Sequence, residues 1–213
     1  MPDLNERDAK IVQYLVEAHG KEKELEMALE AHISMTTKMP YKKRLRKHLT
    51  ETRDHARQLE RRIKQLNGEE ALHSATHAVQ SAVKKGVALA KGPAHALRGM
   101  SEQETMLKNA KTEYFNEAEE IATYTAIESL AEKVGDKETA KMARAILRDE
   151  ERMAKFLEAQ IPTLAKAVAT EEIPVAQRRT STTRARARGG HNGRTRSRSG
   201  TAGRSRTRAK ASA

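Results

Sequence analysis

The sequence contains no cysteine and no tryptophan, and its only aromatics are four tyrosines and two phenylalanines in 213 residues. Without cysteine there is no disulfide, no thiolate metal site and no thiol nucleophile, which suits a reducing compartment. So few aromatics, with Val and Ile scattered singly, argue against a β-sheet. No run approaches the ~18 apolar residues of a membrane helix. The opening MPDLNERDAK lacks the apolar segment of a secretory leader. A soluble cytoplasmic protein with no membrane partner is expected. Apolar residues make up 37% and charged residues 33%, a balance that leaves only a narrow core, and slender helices fill such a core better than a sandwich.

What is abundant is charge, and it is unevenly placed. Residues 178–213 hold 12 basic residues and no acid, whereas residues 1–177 hold 29 of each sign. This shift predicts a folded domain over 1–168, a linker over 169–177 and a tail over 178–213.

Four segments of the neutral part carry apolar ladders at alternating steps of four and three. The first, over 5–33, runs Ile11, Leu15, Ala18, Glu22, Leu25, Leu29, Ile33. The second, over 41–66, runs Leu45, Leu49, Thr52, Ala56, Leu59, Ile63, Leu66. The third, over 102–134, includes Leu107, Ala110, Tyr114, Glu117, Ile121, Tyr124, Ala131 and Val134. The fourth, over 137–168, runs Ala143, Ile146, Glu150, Met153, Leu157, Ile161, Leu164, Val168. Ser101 with Glu104 has capping-box spacing, Pro40 suits a first turn, and Gly68 and Gly135 suit the residue past a helix end. Pro162 should kink or end the fourth helix. About seven residues join the first two ladders and Gly135-Asp136 the last two, while a long stretch, 67–100, separates the pairs. Short, long, short connections predict an all-α four-helix bundle with one long crossover between helices 2 and 3. A short helix from Glu69 to about Ala90 is expected within that crossover.

Carboxylates interrupt the ladders. Glu22, Glu117 and Glu150 occupy rungs that should be apolar, Glu51 sits beside the Thr52 rung, and Glu120 lies one turn from Glu117. A core carboxylate is costly unless it binds a cation or stays protonated. At ~1.5 Å per residue all of them fall roughly 20–28 Å from their hairpin ends, near mid-bundle. His55, four residues after Glu51, can face the same centre. Hard oxygen ligands with one imidazole suit iron or manganese. The candidate ligands are therefore Glu22, Glu51, His55, Glu117, Glu120 and Glu150. The other reading is a bundle whose carboxylates pair with Arg or Lys. His19 and His48, one turn away, suit supporting hydrogen bonds or an edge-of-core role. Tyr114 and Tyr124 flank Glu117 and fit either core packing or capture of an oxidising equivalent. His73 and His77, four apart in the crossover helix, have the spacing to clip a metal but read rather as a solvated helix face.

The stretches KEKELEMAL (21–29), HLTETRDHARQLE (48–60), NEAEEIATYTAIESLAEKVGD (116–136) and ILRDEERMAKFL (146–157) resemble the YciF-type ferritin-like proteins. The resemblance spans about residues 4–168, with a poor match in the crossover. Its most specific pieces are His48-Leu49-x-Glu51-Thr52-x-x-His55 and Glu117-x-x-Glu120-Ile121-Ala122-x-Tyr124. It implies a ferritin-like, rubrerythrin-like bundle with a dinuclear iron (or manganese) centre. The wider di-iron pattern places Glu-x-x-His on two helices. Here Asp54 stands at i+3 from Glu51 and Met153 at i+3 from Glu150, so an asymmetric centre with a single histidine is expected.

The tail is a repeat of tens, with arginine triplets at Arg184, Arg186 and Arg188, at Arg194, Arg196 and Arg198, and at Arg204, Arg206 and Arg208; Arg178, Arg179 and Lys210 complete it. Without large apolar residues it cannot offset chain entropy and is expected to be disordered. Acid-free arginine is the footprint of polyanion binding, and without aromatics the contacts would be to phosphates. The partner expected is nucleic acid, DNA before RNA, with nucleoid association and avidity from a homo-oligomer, a dimer first. Metal and tail together predict a protective, stress-linked role, with ferroxidase or peroxidase-like activity as the enzymatic form. The alternative is a structural nucleoid protein whose metal-free bundle serves for dimerisation or packing.

Overall fold

The computed structural model describes residues 5–74 and 100–178. The crossover beyond residue 74, including His77, and the tail beyond Arg178 lie outside the described residues. So does any test of the expected tail disorder.

Four long helices carry the fold: α1 (Glu6–Met35), α2 (Met39–Gln65), α3 (Glu102–Lys133) and α4 (Lys137–Glu172). Residues 69–74 are also helical, where the crossover helix was expected to begin, and a short 3₁₀ turn spans Val175–Gln177. Among the described residues there is no strand, and no helix is long and apolar enough to cross a membrane.

Side-chain oxygens at three helix starts accept backbone N–H groups the helix cannot satisfy. Asn5 accepts from Asp8 N at 2.9 Å, Ser101 from Glu104 N at 3.1 Å and Asp136 from Thr139 N at 3.0 Å. Only three residues, 36–38, join α1 to α2, fewer than the ladders suggested. Thr36 Oγ1 bonds His32 O at 2.7 Å and Pro40 begins the next helix at once. At the α3 end Gly135 takes a left-handed φ of +78°, and Asp136 N reaches back to Ala131 O at 2.8 Å. At the α2 end that conformation belongs to Asn67, at φ +59°, rather than to Gly68. Gly68 is small for another reason: a Cβ there would stand 2.6 Å from Val12 Cγ1. Nor does α4 stop at Pro162, which is exposed, so the carbonyl it leaves unbonded faces water.

Each hairpin is antiparallel. Arg53 on α2 meets Glu26 on α1, and Arg144 on α4 meets Glu128 on α3. Helices α2 and α3 run parallel, since Tyr41 reaches Glu113 and His48 reaches Glu117. The end of α2 and the start of α3 therefore lie at opposite ends of the bundle. The core divides in two. One apolar cluster gathers Ile11, Leu15, Leu59, Ile63, Ile127 and Ile146, the other Leu25, Leu29, Leu45, Met106, Met153 and Leu157. Each such side chain, fully buried, contributes roughly 1.5–3 kcal/mol. On α3 the expected ladder is off by one position at three rungs: Met106, Glu113 and Glu120 point inward, not Leu107, Tyr114 and Ile121. Tyr114 is exposed.

Candidate metal centre

Between the two apolar clusters lies a polar layer built by all four helices. Glu22 comes from α1, His48, Thr52 and His55 from α2, Glu117 and Glu120 from α3, and Glu150 from α4. None is more than 2% exposed. Their side chains fall into two groups that share one residue. His48, Glu117, Glu120 and Glu150 form the first, and Glu22, His55 and Glu150 the second; in each, the candidate ligand atoms lie within 4.8 Å of one another.

Short contacts tie the layer together. His48 Nε2 is 3.0 Å from Glu117 Oε1 and 3.7 Å from Glu150 Oε2. His55 Nδ1 is 2.8 Å from Glu150 Oε1 and 3.5 Å from Glu22 Oε1, while its Nε2 is 3.2 Å from Asp149 Oδ2. The Tyr124 hydroxyl donates to Glu22. These contacts do not satisfy the layer. Glu22 Oε2, Glu117 Oε2 and both carboxylate oxygens of Glu120 and of Glu150 are buried with no hydrogen-bond donor, and His55 Nδ1 is likewise without a hydrogen bond. Both Glu150 oxygens meet the histidine rings only as ion pairs without hydrogen-bond geometry, whereas Glu22 Oε2, Glu117 Oε2 and both Glu120 oxygens meet neither a hydrogen-bond donor nor an ion-pair partner. A buried polar atom left unpaired costs about 1–3 kcal/mol, a large debit unless a cation or a proton meets it.

Ionisation follows the same logic. Burial first, then the charges of Glu22, Glu150 and Glu117, push the Glu120 carboxyl well above its usual range. Burial raises Glu22 as well, against the pull of His55, and raises Glu117 to about 7 against that of His48. Burial alone would lower both histidines. Close contacts and charge from Glu117, Glu51 and Glu150 instead lift His48 to about 10, and the ion-pair contacts with Glu150 and Glu22 lift His55 to about 10. Without a cation the layer thus holds protons on its imidazoles and on some of its carboxyls. The donor set, hard oxygens plus two imidazoles, fits iron or manganese.

Of the six residues named from sequence, Glu22, His55, Glu117, Glu120 and Glu150 come together and Glu51 does not. Glu51 stands one position off the Thr52 rung, at the edge of the layer, where Arg44 bonds it at 2.8 Å and Lys47 at 2.9 Å while its Oε2 lies 3.5 Å from His48 Nδ1. Although partial burial opposes it, His48, Lys47 and Arg44 hold this carboxyl far below its usual range. In its place stands His48, so the centre has two histidines rather than one. The signal is present in the sequence, since His48, Thr52 and His55 are themselves separated by four and three. Two outer partners, Asp149 behind His55 and Tyr124 behind Glu22, complete the surroundings. His19 is in neither group. Half-burial lowers its pKa, opposed by the charge of Glu60.

An all-α bundle with a buried layer of glutamate and histidine across its middle defines the class. Residues 9–170 match the family described as a domain of unknown function, DUF892, and the chain belongs to that family. Among solved structures it is similar to a protein from Xanthomonas campestris, with 23% identity, a TM-score of 0.61, and coverage of 78% of this chain and 99% of that one. It is also similar to YcfI from Rhodopseudomonas palustris (17% identity, TM-score 0.55, 74% of this chain and 96% of that one). A third similar structure is the E. coli stress protein YciF (16% identity, TM-score 0.53, 76% and 98%). At these identities the likeness shows the fold.

Proposed function

We propose that this chain is a ferritin-like protein whose polar layer holds two metal ions, iron or manganese, with Glu150 shared between the two positions. The single observation behind the reading is the set of six buried carboxylate oxygens that accept no hydrogen bond, four of them with no ion-pair contact either. Glu117, Glu120 and His48 would hold one ion and Glu22 and His55 the other. Bound iron would supply one-electron exchange with peroxide or dioxygen. The chain's own residues bind, orient and exclude water. Asp149 fixes the His55 ring and Tyr124 keeps a proton on the Glu22 side. The Arg-rich tail, on this reading, holds the protein to DNA through phosphate contacts, in the cytoplasm at the nucleoid, so that metal and peroxide are handled beside the polymer they would damage. A dimer would double the number of tails. That a structural neighbour is called a stress protein agrees with a protective role.

Purified protein loaded with Fe(II) and freed of excess should retain about two irons per chain by elemental analysis, as ferritin-like di-iron proteins do. Glu150→Ala should lose most of both. Equally low retention by wild type and variant would overturn the metal reading. For the tail, duplex DNA of unrelated sequences should bind alike, with a slope of log affinity against log salt of about −5 to −8. A strong preference for one sequence would overturn that part. The second reading, a metal-free structural bundle, draws on the His48–Glu117 and His55–Glu150 pairs, which neutralise part of the layer. The iron retention separates the two.

A further inference from the structure

Residues 1–177 are neutral by count, yet the two signs do not occupy the same places. Six carboxylates are buried among the described residues: Glu22, Glu113, Glu117, Glu120, Asp136 and Glu150. No lysine or arginine is. Only Asp136 of the six meets a guanidinium, that of Arg62. Acidic side chains are thus taken inside while Lys and Arg stay outside: of the described residues in 5–177, 25 Lys and Arg stand against 28 acids, and with six acids buried the remaining 22 are outnumbered.

That excess concentrates on α2, which carries ten Lys and Arg residues against three acids. The stretch 31–50 has six Lys or Arg residues and no acid at all. Arg44 and Lys47 are occupied by Glu51. No carboxylate among the described residues pairs with Lys38, Lys42, Lys43 or Arg46, which lie partly or fully exposed along the first turns of the helix. The arrangement is locally unfavourable. Lys42 with Arg46 and Lys43 with Lys47 are like-charged neighbours four apart. The first turn holds no acid and the N-cap Lys38 makes no side-chain cap bond, so the cations gather at the positive end of the helix dipole.

We propose that this face of α2 is a second nucleic-acid contact, a rigid row of cations that lies along the phosphates of duplex DNA. It does not rest on the reading of the tail. Duplex DNA carries about one negative charge per 1.7 Å of its axis, and an acid-free row of cations is complementary to it. A second copy of the chain fits less well, because outer acids on α3 are already engaged: Glu119 by Lys21, and Glu128 and Glu132 by Arg144. A lipid surface fits less well too, since Met39 is the one large apolar side chain α2 exposes.

The test uses the full chain with Lys42→Gln, Lys43→Gln and Arg46→Gln together, measured on duplex DNA over a salt series. Three lost phosphate contacts should reduce the steepness of the salt slope by about 3 and weaken binding near 0.15 M salt by one to two orders of magnitude. The same positions changed to Arg should keep the wild-type slope. Unchanged far-UV circular dichroism and melting temperature show that the glutamine variant is folded. In a full-length chain whose nine tail-triplet arginines are glutamine, residual DNA binding should persist and vanish when the three α2 changes are added. An unchanged slope in the triple variant overturns the proposal even if the tail binds DNA. So does capture of anionic vesicles by the tail-neutralised chain without capture of DNA, or a loss of self-association in the triple variant with DNA affinity unaltered.

Discussion

Two buried glutamates on α3, Glu113 and Glu120, sit two turns apart in the same bundle and could hardly be treated more differently. Glu113 is fully buried, and both its oxygens are satisfied: the Tyr41 hydroxyl donates at 2.5 Å and His32 Nδ1 lies at 2.8 Å. Glu120 is equally buried and has no donor at either oxygen. Depth is the same and residue type is the same. What differs is whether the protein supplies the partner or leaves the place open. A structural carboxylate is closed by its own chain, whereas the Glu120 carboxyl, beside Glu150 and Glu117, is given no hydrogen-bond partner by the chain.

The sharpest way to break this contrast is to remove each charge in turn. Glu120→Leu should lower metal retention at least tenfold, yet raise metal-free stability by about 1–3 kcal/mol, because it removes a buried carboxyl group whose oxygens make no hydrogen bond. Glu113→Leu should do the reverse, leaving metal retention near wild type while costing about 1–3 kcal/mol, since Tyr41 and His32 lose their acceptor. Equal effects of both substitutions in urea melts would erase the distinction.

The next largest effect is on pH. Glu117, Glu120 and Glu22 have raised pKa values in the fold, so each costs stability once pH exceeds its unfolded value near 4.5. His48 and His55 are raised to about 10, so their contribution is full below about 6.5 and fades as pH climbs towards 10. Both sets act in one direction. Metal-free protein should melt progressively lower from about pH 5 upwards. Fe(II) under anaerobic conditions or Mn(II) should cancel the fall, and metal uptake should release protons, read as a dependence of the calorimetric enthalpy on buffer. A melting temperature that rises across this window would count against the ionisation scheme. The smallest effect lies far from the layer: Gly68→Ala should cost about 1–3 kcal/mol by pressing on Val12, with metal retention untouched.

The ladders located the four helices, and on α1, α2 and α4 nearly every expected rung is buried, because apolar periodicity reports directly on which stripe faces the core. It failed on α3, where the inward stripe is itself polar. Glu113 looks like a surface residue until its partners Tyr41 and His32 on other helices are known, whereas Glu120 is legible as a candidate ligand by its place one turn from Glu117. Glu51 shows the converse limit. It had the residue type and height of a ligand, but Lys47 four residues earlier and Arg44 seven earlier stand on the same helix face, a spacing that already offered it partners within its own helix. The reading of the ladders and of the Glu-x-x-His spacing expected a single histidine; His48, two turns before His55, enters because its ring meets Glu117.

The division of the polar layer between the hairpins gives it a place in time as well as in space. Helices α1 and α2 contribute one carboxylate and two imidazoles, and α3 with α4 contributes three carboxylates. Each hairpin closes on local contacts and can form early, whereas docking across the long crossover comes late. Neither half alone assembles the four-residue group, which takes His48 from the first hairpin and the glutamates from the second. On the metal reading, a half-made chain leaving the ribosome would have no complete trap for metal, and the first tightly held ion would mark the moment at which the two halves have found each other.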